Sequence, residues 1–241
     1  MAPDAVDDMY CDCTEEMEEN VQKTYSQTDS TEFEFTWKYA ESCAKSKTKD
    51  NGDKALTDNH MKAICAYSSP DIYMVFNEAV RTGKSIYGSS FKFHFLHFWL
   101  TTAIQTLNSK HDCHTTYRGT DNVFTGERDK IIRFGGFASS SYNTVRARGF
   151  GKQTCFKINT CYGAYLKHYS MFGDEEEVLI PPYEKFKITN DGPGSIVEGL
   201  EDCKKVFVLE SDGYESNLNC KAVKQKGSVS VLRKMFQCFG K

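Results

Sequence analysis

Ten cysteines, an even number, are spread along this chain of 241 residues. They stand at positions 11, 13, 43, 65, 113, 155, 161, 203, 220 and 238. Their spacing does not match a structural zinc site, in which about two to four residues separate paired ligands and a second pair follows. Scattered cysteines in even number favour a secreted or surface-exposed protein that several disulfides hold together. The alternative is a cytosolic protein with free, buried thiols.

The ends of the chain carry no sorting signal. Residues 1–8 are acidic and polar, with neither the basic start nor the apolar core of a signal peptide. The C-terminus lacks the apolar tail that precedes a lipid anchor. We therefore expect a mature form that is secreted or displayed at the cell surface, with membrane attachment only through a lipid anchor that this chain does not carry.

The charge balance and the histidines exclude several other classes of protein. A formal net charge of −3 and a pI near 6.1 give no reason to bind a polyanion, so we expect no nucleic-acid partner. The most apolar stretch, 91–107, contains His94 and His97 and is no membrane span. These histidines lie one helical turn apart, but without a third ligand nearby we expect packing residues and no metal. The histidines on either side of Cys113 are likewise interpreted as surface imidazoles beside a disulfide cysteine.

The periodicity changes near the middle of the chain. In the first part apolar residues recur at helical spacing, as at Phe35, Tyr39 and Cys43, and five helices are predicted there: 14–25, 32–46, 54–67, 71–82 and 91–108. Later, short β-branched and aromatic runs predict six strands: 115–118, 131–137, 154–159, 177–180, 183–188 and 204–210. The chain is thus predicted to be one α+β domain, with a mainly helical part (1–110) followed by a mainly strand part (111–241) that forms two largely antiparallel sheets.

Three short segments of the strand part carry residues suited to ligand binding. In the first, 117–120, Arg118 places a planar, permanent charge at a strand end, where it could bind phosphate oxygens. Gly119 would let a ligand approach the main chain because no Cβ stands in the way. The alternative is a turn with a surface ion pair.

The second segment, 134–141, reads Phe-Gly-Gly-Phe-Ala-Ser-Ser-Ser. On a strand, Phe137, Ser139 and Ser141 share one face, where a ring and two hydroxyls could hold a flat aromatic ligand and a polar partner. Taken alone, this segment is better explained by a strand that ends in a serine-rich turn.

The third segment, 174–182, carries four acids directly before an apolar strand. If the strand begins at Glu177, then Glu175 and Glu177 project to the same side. Two carboxylates about 7 Å apart, at an effective dielectric near ~20, repel by roughly 2 kcal/mol. Such a pair suits the stabilisation of a developing cation and the removal of a nearby proton. A solvated acidic turn is the alternative, but these acids adjoin a strand that we expect to be buried.

In this order, the three segments resemble the arginine-specific mono-ADP-ribosyltransferases, the vertebrate ecto-enzymes of the Arg-Ser-Glu class. Arg118 matches the motif arginine, 137–141 matches the Phe-x-Ser-x-Ser element, and 175–182 matches the Glu-x-Glu element with its proline tail. The family's N-terminus and two of its helices are similar to further segments of this chain: 1–10, 73–81 and 91–103. His94 stands where the helix signature has Lys. The resemblance covers nearly the whole chain and implies an ADP-ribosyltransferase-like fold.

The resemblance also implies NAD as co-substrate and the arginine of a protein as acceptor, with release of nicotinamide. Arg118 would bind the diphosphate, Gly119 would present its backbone to the nicotinamide amide, and Phe137 would pack near the nicotinamide ring. Ser139 would orient Glu177 by a hydrogen bond. Glu177 would bind the ribose 2′-hydroxyl and stabilise the oxocarbenium-like state.

The remaining expectations from the resemblance concern the acceptor and the disulfides. Glu175 would attract the incoming guanidinium and help to remove its proton, and Ser170 would be a further contact with NAD. The family's pairing implies the disulfides Cys13–Cys220 and Cys113–Cys161, and leaves the partners of the other six cysteines open. We expect a monomer that acts on arginine-bearing proteins. Two alternatives stay open: an NAD glycohydrolase with water as main acceptor, and a non-catalytic secreted binding module on the same scaffold.

Overall fold

The computed structural model of the chain describes residues 2–24 and 31–223. These residues form six α-helices: α1 (Thr14–Lys23), α2 (Thr31–Lys45), α3 (Asp58–Tyr67), α4 (Pro70–Thr82), α5 (His94–Leu107) and α6 (Thr144–Gly149). The first five lie within or next to the predicted helical ranges. The predicted helix 54–67 begins late because Thr57 and His60 form a capping box, which fixes its first turn at Asp58. Helix α6 was not predicted, since six residues are too few to show a helical period.

The same residues form eight strands: β1 (His114–Thr120), β2 (Ile131–Ile132), β3 (Ala138–Ser141), β4 (Thr154–Thr160), β5 (Ala164–Tyr165), β6 (Glu177–Ile180), β7 (Glu184–Gly192) and β8 (Lys205–Tyr214). They are hydrogen-bonded in the order β2-β7-β8-β4-β1-β3-β6-β5. Neighbouring strands are antiparallel except β4 and β8, which are parallel. The predicted α+β class, helices first and a mostly antiparallel β part second, is confirmed.

The two predicted sheets are two strand groups of one sheet. Strand β1 pairs with β4 from His114 to Thr120. On its other side, within the described residues, it pairs with β3 only where Tyr117 lies opposite Ser141. The groups β2-β7-β8-β4-β1 and β3-β6-β5 therefore meet at one residue pair. Each group has its own alternation of apolar and polar residues. A junction of one residue pair adds no pattern to the sequence that could show the two groups to be one sheet.

The helices pack on the β3-β6-β5 group and form the larger core with it. Residues from α4, α5 and β6, such as Phe76, Phe98 and Leu179, belong to one buried cluster. His94 and His97 are buried in this cluster's aromatic surroundings. The ring of His97 lies between the Tyr10 hydroxyl at 2.6 Å and the Val6 carbonyl at 3.1 Å. Both histidines are thus packing residues, as the sequence predicts.

Disulfides connect distant parts of the described chain. Four disulfides join two described cysteines each: Cys13–Cys220, Cys43–Cys65, Cys113–Cys161 and Cys155–Cys203. The first and third are the pairs that the resemblance implies, and the other two had been left open; Cys238 lies outside the described residues. None of the described cysteines is free, which favours an oxidising compartment over the alternative of free thiols. The helices of residues 2–24 and 31–223 are all too short or too polar to cross a bilayer.

Candidate active site

Glu177 is the first residue of β6, and its carboxyl group is buried at the edge of the helical core. Only 6% of the residue is exposed. Strand pairing sets Ser141 opposite Glu177 and Ser139 opposite Leu179, so Ser139 is a diagonal neighbour of Glu177 on one face. Ser139 and Ser170 lie close enough to the Glu177 carboxyl group for their hydroxyls to lower its pKa. The strand register thus brings Ser139 beside Glu177, and the orientation of Glu177 by Ser139 stays a prediction.

The burial of Glu177 has an electrostatic consequence. Loss of hydration raises the pKa of its carboxyl group to about 7, and the nearby charge of Glu175 adds to the rise. The neighbouring hydroxyls of Ser139 and Ser170 and the charge of Arg118 oppose this rise. A carboxyl group with this pKa changes its charge near neutral pH, which is a property that active sites often build in.

Arg118 reaches the same region from β1. Its Nη1 donates to the main-chain carbonyl of Ser139 at 2.6 Å, and its Nη2 donates to the Tyr73 hydroxyl at 3.3 Å. A guanidinium has five N–H donors, so these two bonds hold the group in place and leave donors for a ligand. Arg118, Ser139 and Glu177 thus converge at the junction of the two strand groups.

Glu175 lies in the turn that leads into β6. It ends a short 3₁₀ helix, Gly173–Glu175, and Glu176 follows with a φ of 49° in the left-handed region. The placement of Glu175 relative to Glu177 is therefore set by this turn and not by the pleat of a strand. The Ser141 hydroxyl fixes the turn by donating to the Glu175 carbonyl at 2.6 Å.

The Glu175 side chain is half-buried, and its surroundings contain charges of both signs. Partial burial and the neighbouring Asp174 raise the pKa of the Glu175 carboxyl group, whereas the charge of Arg146 lowers it. Arg146, on α6, forms an ion pair with Asp174 at 2.8 Å. The turn thus presents a partly exposed carboxylate within electrostatic range of the buried Glu177.

Gly119 has a structural reason to be glycine. A Cβ at this position would lie 2.3 Å from the Gly151 carbonyl oxygen and 2.5 Å from that of Ala147. The missing side chain therefore makes room for the C-terminal end of α6 against β1, and not for a ligand on that side. Its proposed contact with nicotinamide would involve only its main chain.

Phe137 supports the site from within the core. Its ring is 2% exposed, is stacked on Phe76 at a centroid distance of 5.5 Å and contacts the rings of Tyr67 and His97. The structure thus places its ring among the packing residues of the core. Ser170, with no exposed surface, lies near Glu177, and its hydroxyl lowers the pKa of that carboxyl group.

Two tyrosines that the sequence analysis did not select complete the site. Tyr67 ends α3 and its hydroxyl lies 3.3 Å from Ser139 Oγ, while Tyr73 on α4 accepts the bond from Arg118. Tyr73 begins the segment 73–81 that is similar to the family, but no motif marks Tyr67. Among the described residues, no group of three or more His, Cys, Asp or Glu could hold a metal ion.

The chain that carries this arrangement is similar to one known protein family. The model of the family described as NAD:arginine ADP-ribosyltransferase matches residues 1–202. The chain belongs to this family. Arg118, Ser139, Glu175 and Glu177 all lie within the matched residues.

Individual members of the family are similar over most of the chain. The erythroblast NAD(P)(+)--arginine ADP-ribosyltransferase of Gallus gallus is 35% identical over 235 residues, covering 94% of this chain and 76% of the relative. Ecto-ADP-ribosyltransferase 5 of Bos taurus is 35% identical over 246 residues, covering 94% and 74%. A mutant of the eukaryotic mono-ADP-ribosyltransferase ART2.2, solved in complex with NAD, has a TM-score of 0.73 and 33% identity, covering 91% of this chain and 96% of that structure.

Proposed function

We propose that this ADP-ribosyltransferase transfers ADP-ribose from NAD to arginine side chains of extracellular proteins, with Arg118, Ser139 and Glu177 as its catalytic centre. The observation that carries the proposal is the convergence of a tethered guanidinium, a serine hydroxyl and a buried carboxyl group at one strand junction. The bovine relative is an ecto-enzyme by name, and every described cysteine of this chain is in a disulfide, which supports an extracellular location.

Arg118 is suited to bind the diphosphate of NAD. The bonds to the Ser139 carbonyl and the Tyr73 hydroxyl use one hydrogen on each terminal nitrogen, so the remaining N–H groups can pair with phosphate oxygens. Because the guanidinium is already held, binding would cost little side-chain entropy. Ser170 would act on NAD indirectly, through the carboxylate of Glu177.

Glu177 would promote cleavage of the bond between nicotinamide and ribose. As this bond breaks, nicotinamide leaves with both bonding electrons and C1′ of the ribose becomes oxocarbenium-like. An ionised Glu177 would accept a hydrogen bond from the ribose 2′-hydroxyl and stabilise the positive charge, which is greatest in the transition state. Ser139 and Ser170, which lie near this carboxylate, would hold it in the required orientation by donating hydrogen bonds to it.

Glu175 would select arginine as the acceptor. Its half-buried carboxylate would attract a guanidinium from the solvent side of the turn. A guanidinium nitrogen would then form a bond with C1′, and Glu175 would take the proton that this nitrogen loses. The raised pKa of Glu175 makes it a better base than an ordinary surface glutamate.

The proposal is tested by following both products of the reaction. The protein is incubated with adenine-labelled NAD and agmatine under oxidising conditions, and released nicotinamide and ADP-ribosyl-agmatine are measured together. We expect the two to form in comparable amounts. Nicotinamide release without an adduct would establish an NAD glycohydrolase instead, and the absence of both products would leave a non-catalytic binding module.

A further inference from the structure

The hydroxyl of Ser141 links the end of β3 to the turn that carries Glu175. Ser141 Oγ accepts a hydrogen bond from the Asn143 main-chain amide at 3.0 Å and donates one to the Glu175 carbonyl at 2.6 Å. Because an amide N–H can only donate and a carbonyl can only accept, these two contacts fix the direction of the Ser141 proton. Ser141 is 5% exposed, so water competes little for either bond.

The turn needs such a link because its backbone adopts a strained conformation. Glu176 has a φ of 49°, in the left-handed region that is uncommon for a glutamate and persists where the surroundings hold it. Two hydrogen bonds from the end of β3 support it: the bond from Ser141, and one from the Tyr142 amide to the Glu176 carbonyl at 3.2 Å. Arg146 and Asp174 also connect α6 to the turn, but theirs is an exposed ion pair, and such pairs stabilise little.

We propose that Ser141 is a positioning residue for Glu175, and that it thereby sets how ADP-ribose is divided between an arginine acceptor and water. The proposal rests on the function proposed for Glu175. A guanidinium is protonated at neutral pH, so its nitrogen can form a bond with C1′ only as a base within hydrogen-bond reach takes the proton. Water forms a bond with the same carbon and releases its proton to the solvent. A misplaced Glu175 would therefore slow transfer to arginine more than hydrolysis, and a shift of about 1 Å can cost about a hundredfold in rate.

The contacts of Ser141 separate its effect on Glu175 from any effect on Glu177. Ser141 lies opposite Glu177 in the pairing of β3 and β6, but its hydroxyl proton is donated to the Glu175 carbonyl and is not available to the Glu177 carboxylate. Ser139, on the same face of β3, is the serine proposed to orient Glu177. Loss of the Ser141 hydroxyl should therefore affect the acceptor step and leave cleavage of NAD nearly unchanged.

The test replaces Ser141 by alanine, and Ser140→Ala is the matched control. Both serines lie on β3 and are 5% exposed. Ser140 Oγ donates to the Val178 carbonyl at 2.8 Å, so each variant loses one hydroxyl bond to a main-chain carbonyl of the segment 175–178. The two variants should therefore lose similar thermal stability, and a difference in their products would reflect the position of the hydroxyl.

Nicotinamide and ADP-ribosyl-agmatine are measured with NAD and a subsaturating concentration of agmatine. In Ser141→Ala we expect the ratio of adduct to nicotinamide to fall about fivefold or more, as for the net loss of one hydrogen bond. Nicotinamide release without agmatine should stay within about twofold, and Ser140→Ala should keep the ratio of the unaltered protein. An unchanged ratio in Ser141→Ala would overturn the inference. Equal loss of both products would also overturn it, because Ser141 would then act on the cleavage of NAD.

Hydrogen exchange of the Glu175 amide, followed by NMR, tests the same link without turnover. This amide donates to the Phe172 carbonyl at 3.1 Å within the turn. We expect its exchange to become about fivefold faster in Ser141→Ala and to stay unchanged in Ser140→Ala. Unchanged exchange in Ser141→Ala would overturn the inference. Faster exchange in a protein that forms no adduct would retain Ser141 as the residue that holds Glu175 and would refute the proposed function.

Discussion

The guanidinium of Arg118 donates a 2.6 Å hydrogen bond to the main-chain carbonyl of Ser139. This bond lies next to the position where β1 and β3 pair, Tyr117 opposite Ser141, and so adds to a narrow junction between the two strand groups. The residue that would bind the diphosphate thus also holds the strand that carries Ser139, the proposed catalytic serine. If Arg118 binds NAD as proposed, binding and alignment of the site would be coupled through this one side chain.

This coupling predicts that Arg118→Lys is not a conservative change. A lysine carries one nitrogen, which cannot bond to Ser139 and Tyr73 and also pair bidentately with phosphate. We expect KM for NAD in nicotinamide release to rise about tenfold to a hundredfold, in line with the loss of a charge-assisted hydrogen bond. The control is Arg148→Lys on α6, which alters an exposed ion pair with Asp202 and should leave KM unchanged. A normal KM in Arg118→Lys would show that the guanidinium does not bind NAD.

The titration of Glu177 predicts the pH dependence of the reaction. Its pKa is raised to about 7 in the folded protein, so the ionised form that would stabilise the oxocarbenium is in the minority below that pH. We expect kcat/KM for NAD, which reports the free enzyme, to fall about tenfold per pH unit below 7 and to level off above it.

The charges that face Glu177 allow this prediction to be checked further. The nearby carboxylate of Glu175 raises the pKa of Glu177, while the hydroxyls of Ser139 and Ser170 and the Arg118 guanidinium on β1 lower it. Removing the charge of Glu175 with Glu175→Gln should therefore move the acid limb of nicotinamide release to lower pH. A rate that is constant from about pH 5 to 8 would contradict the role of an ionised Glu177.

Local patterns in the sequence predicted the parts of the site that lie within single segments. The strand 177–180 was predicted with its observed bounds, because four acids followed by an apolar run mark where burial begins. Arg118 and Ser139 were identified from motif matches. The disulfides Cys43–Cys65 and Cys155–Cys203 could not be assigned, since scattered cysteines do not reveal which of them meet.

Relationships between distant segments could not be predicted from local patterns. Tyr67 contacts Ser139 across 72 residues of sequence, and nothing in α3 distinguishes it from an ordinary core tyrosine. Phe137 shares a motif with Ser139 but is buried among aromatic side chains. Its burial depends on how α4 and α5 pack, which a local pattern does not reveal. Gly119 looked like a place for a ligand, whereas the end of α6, itself too short to predict, occupies that space.

A second buried acid, Glu184, gives a prediction about stability. It accepts hydrogen bonds from the Thr160 hydroxyl, the Cys161 amide and the Ser211 hydroxyl, yet burial raises its pKa to about 7. The folded state therefore holds this proton more tightly than the unfolded chain does. The stabilisation is complete below the unfolded pKa of about 4.3 and is lost as the pH rises through about 7.

Glu184→Gln removes this titration while retaining an amide of similar shape. We expect the free energy of unfolding to fall less between pH 5 and 8 than in the unaltered protein, by up to roughly 3 kcal/mol. Burial also raises the pKa of Asp8 to about 7, so part of the pH dependence remains in both proteins. Denaturant unfolding at the two pH values measures the difference, with the exposed Glu210→Gln as control. An identical pH dependence in Glu184→Gln would show that Glu184 does not titrate in this range.

The most direct test of the proposed centre compares Glu177→Gln with Glu175→Gln in mixtures of NAD and agmatine, with nicotinamide and ADP-ribosyl-agmatine measured in each. Glu176→Gln, which removes the exposed acid between them, is the control and should retain both products. We expect Glu177→Gln to lose both products by about a hundredfold or more. We expect Glu175→Gln still to release nicotinamide but to form little adduct. Nicotinamide release at the normal rate by Glu177→Gln would contradict the central role of this carboxylate, and equal loss of both products in Glu175→Gln would contradict the separate role of Glu175.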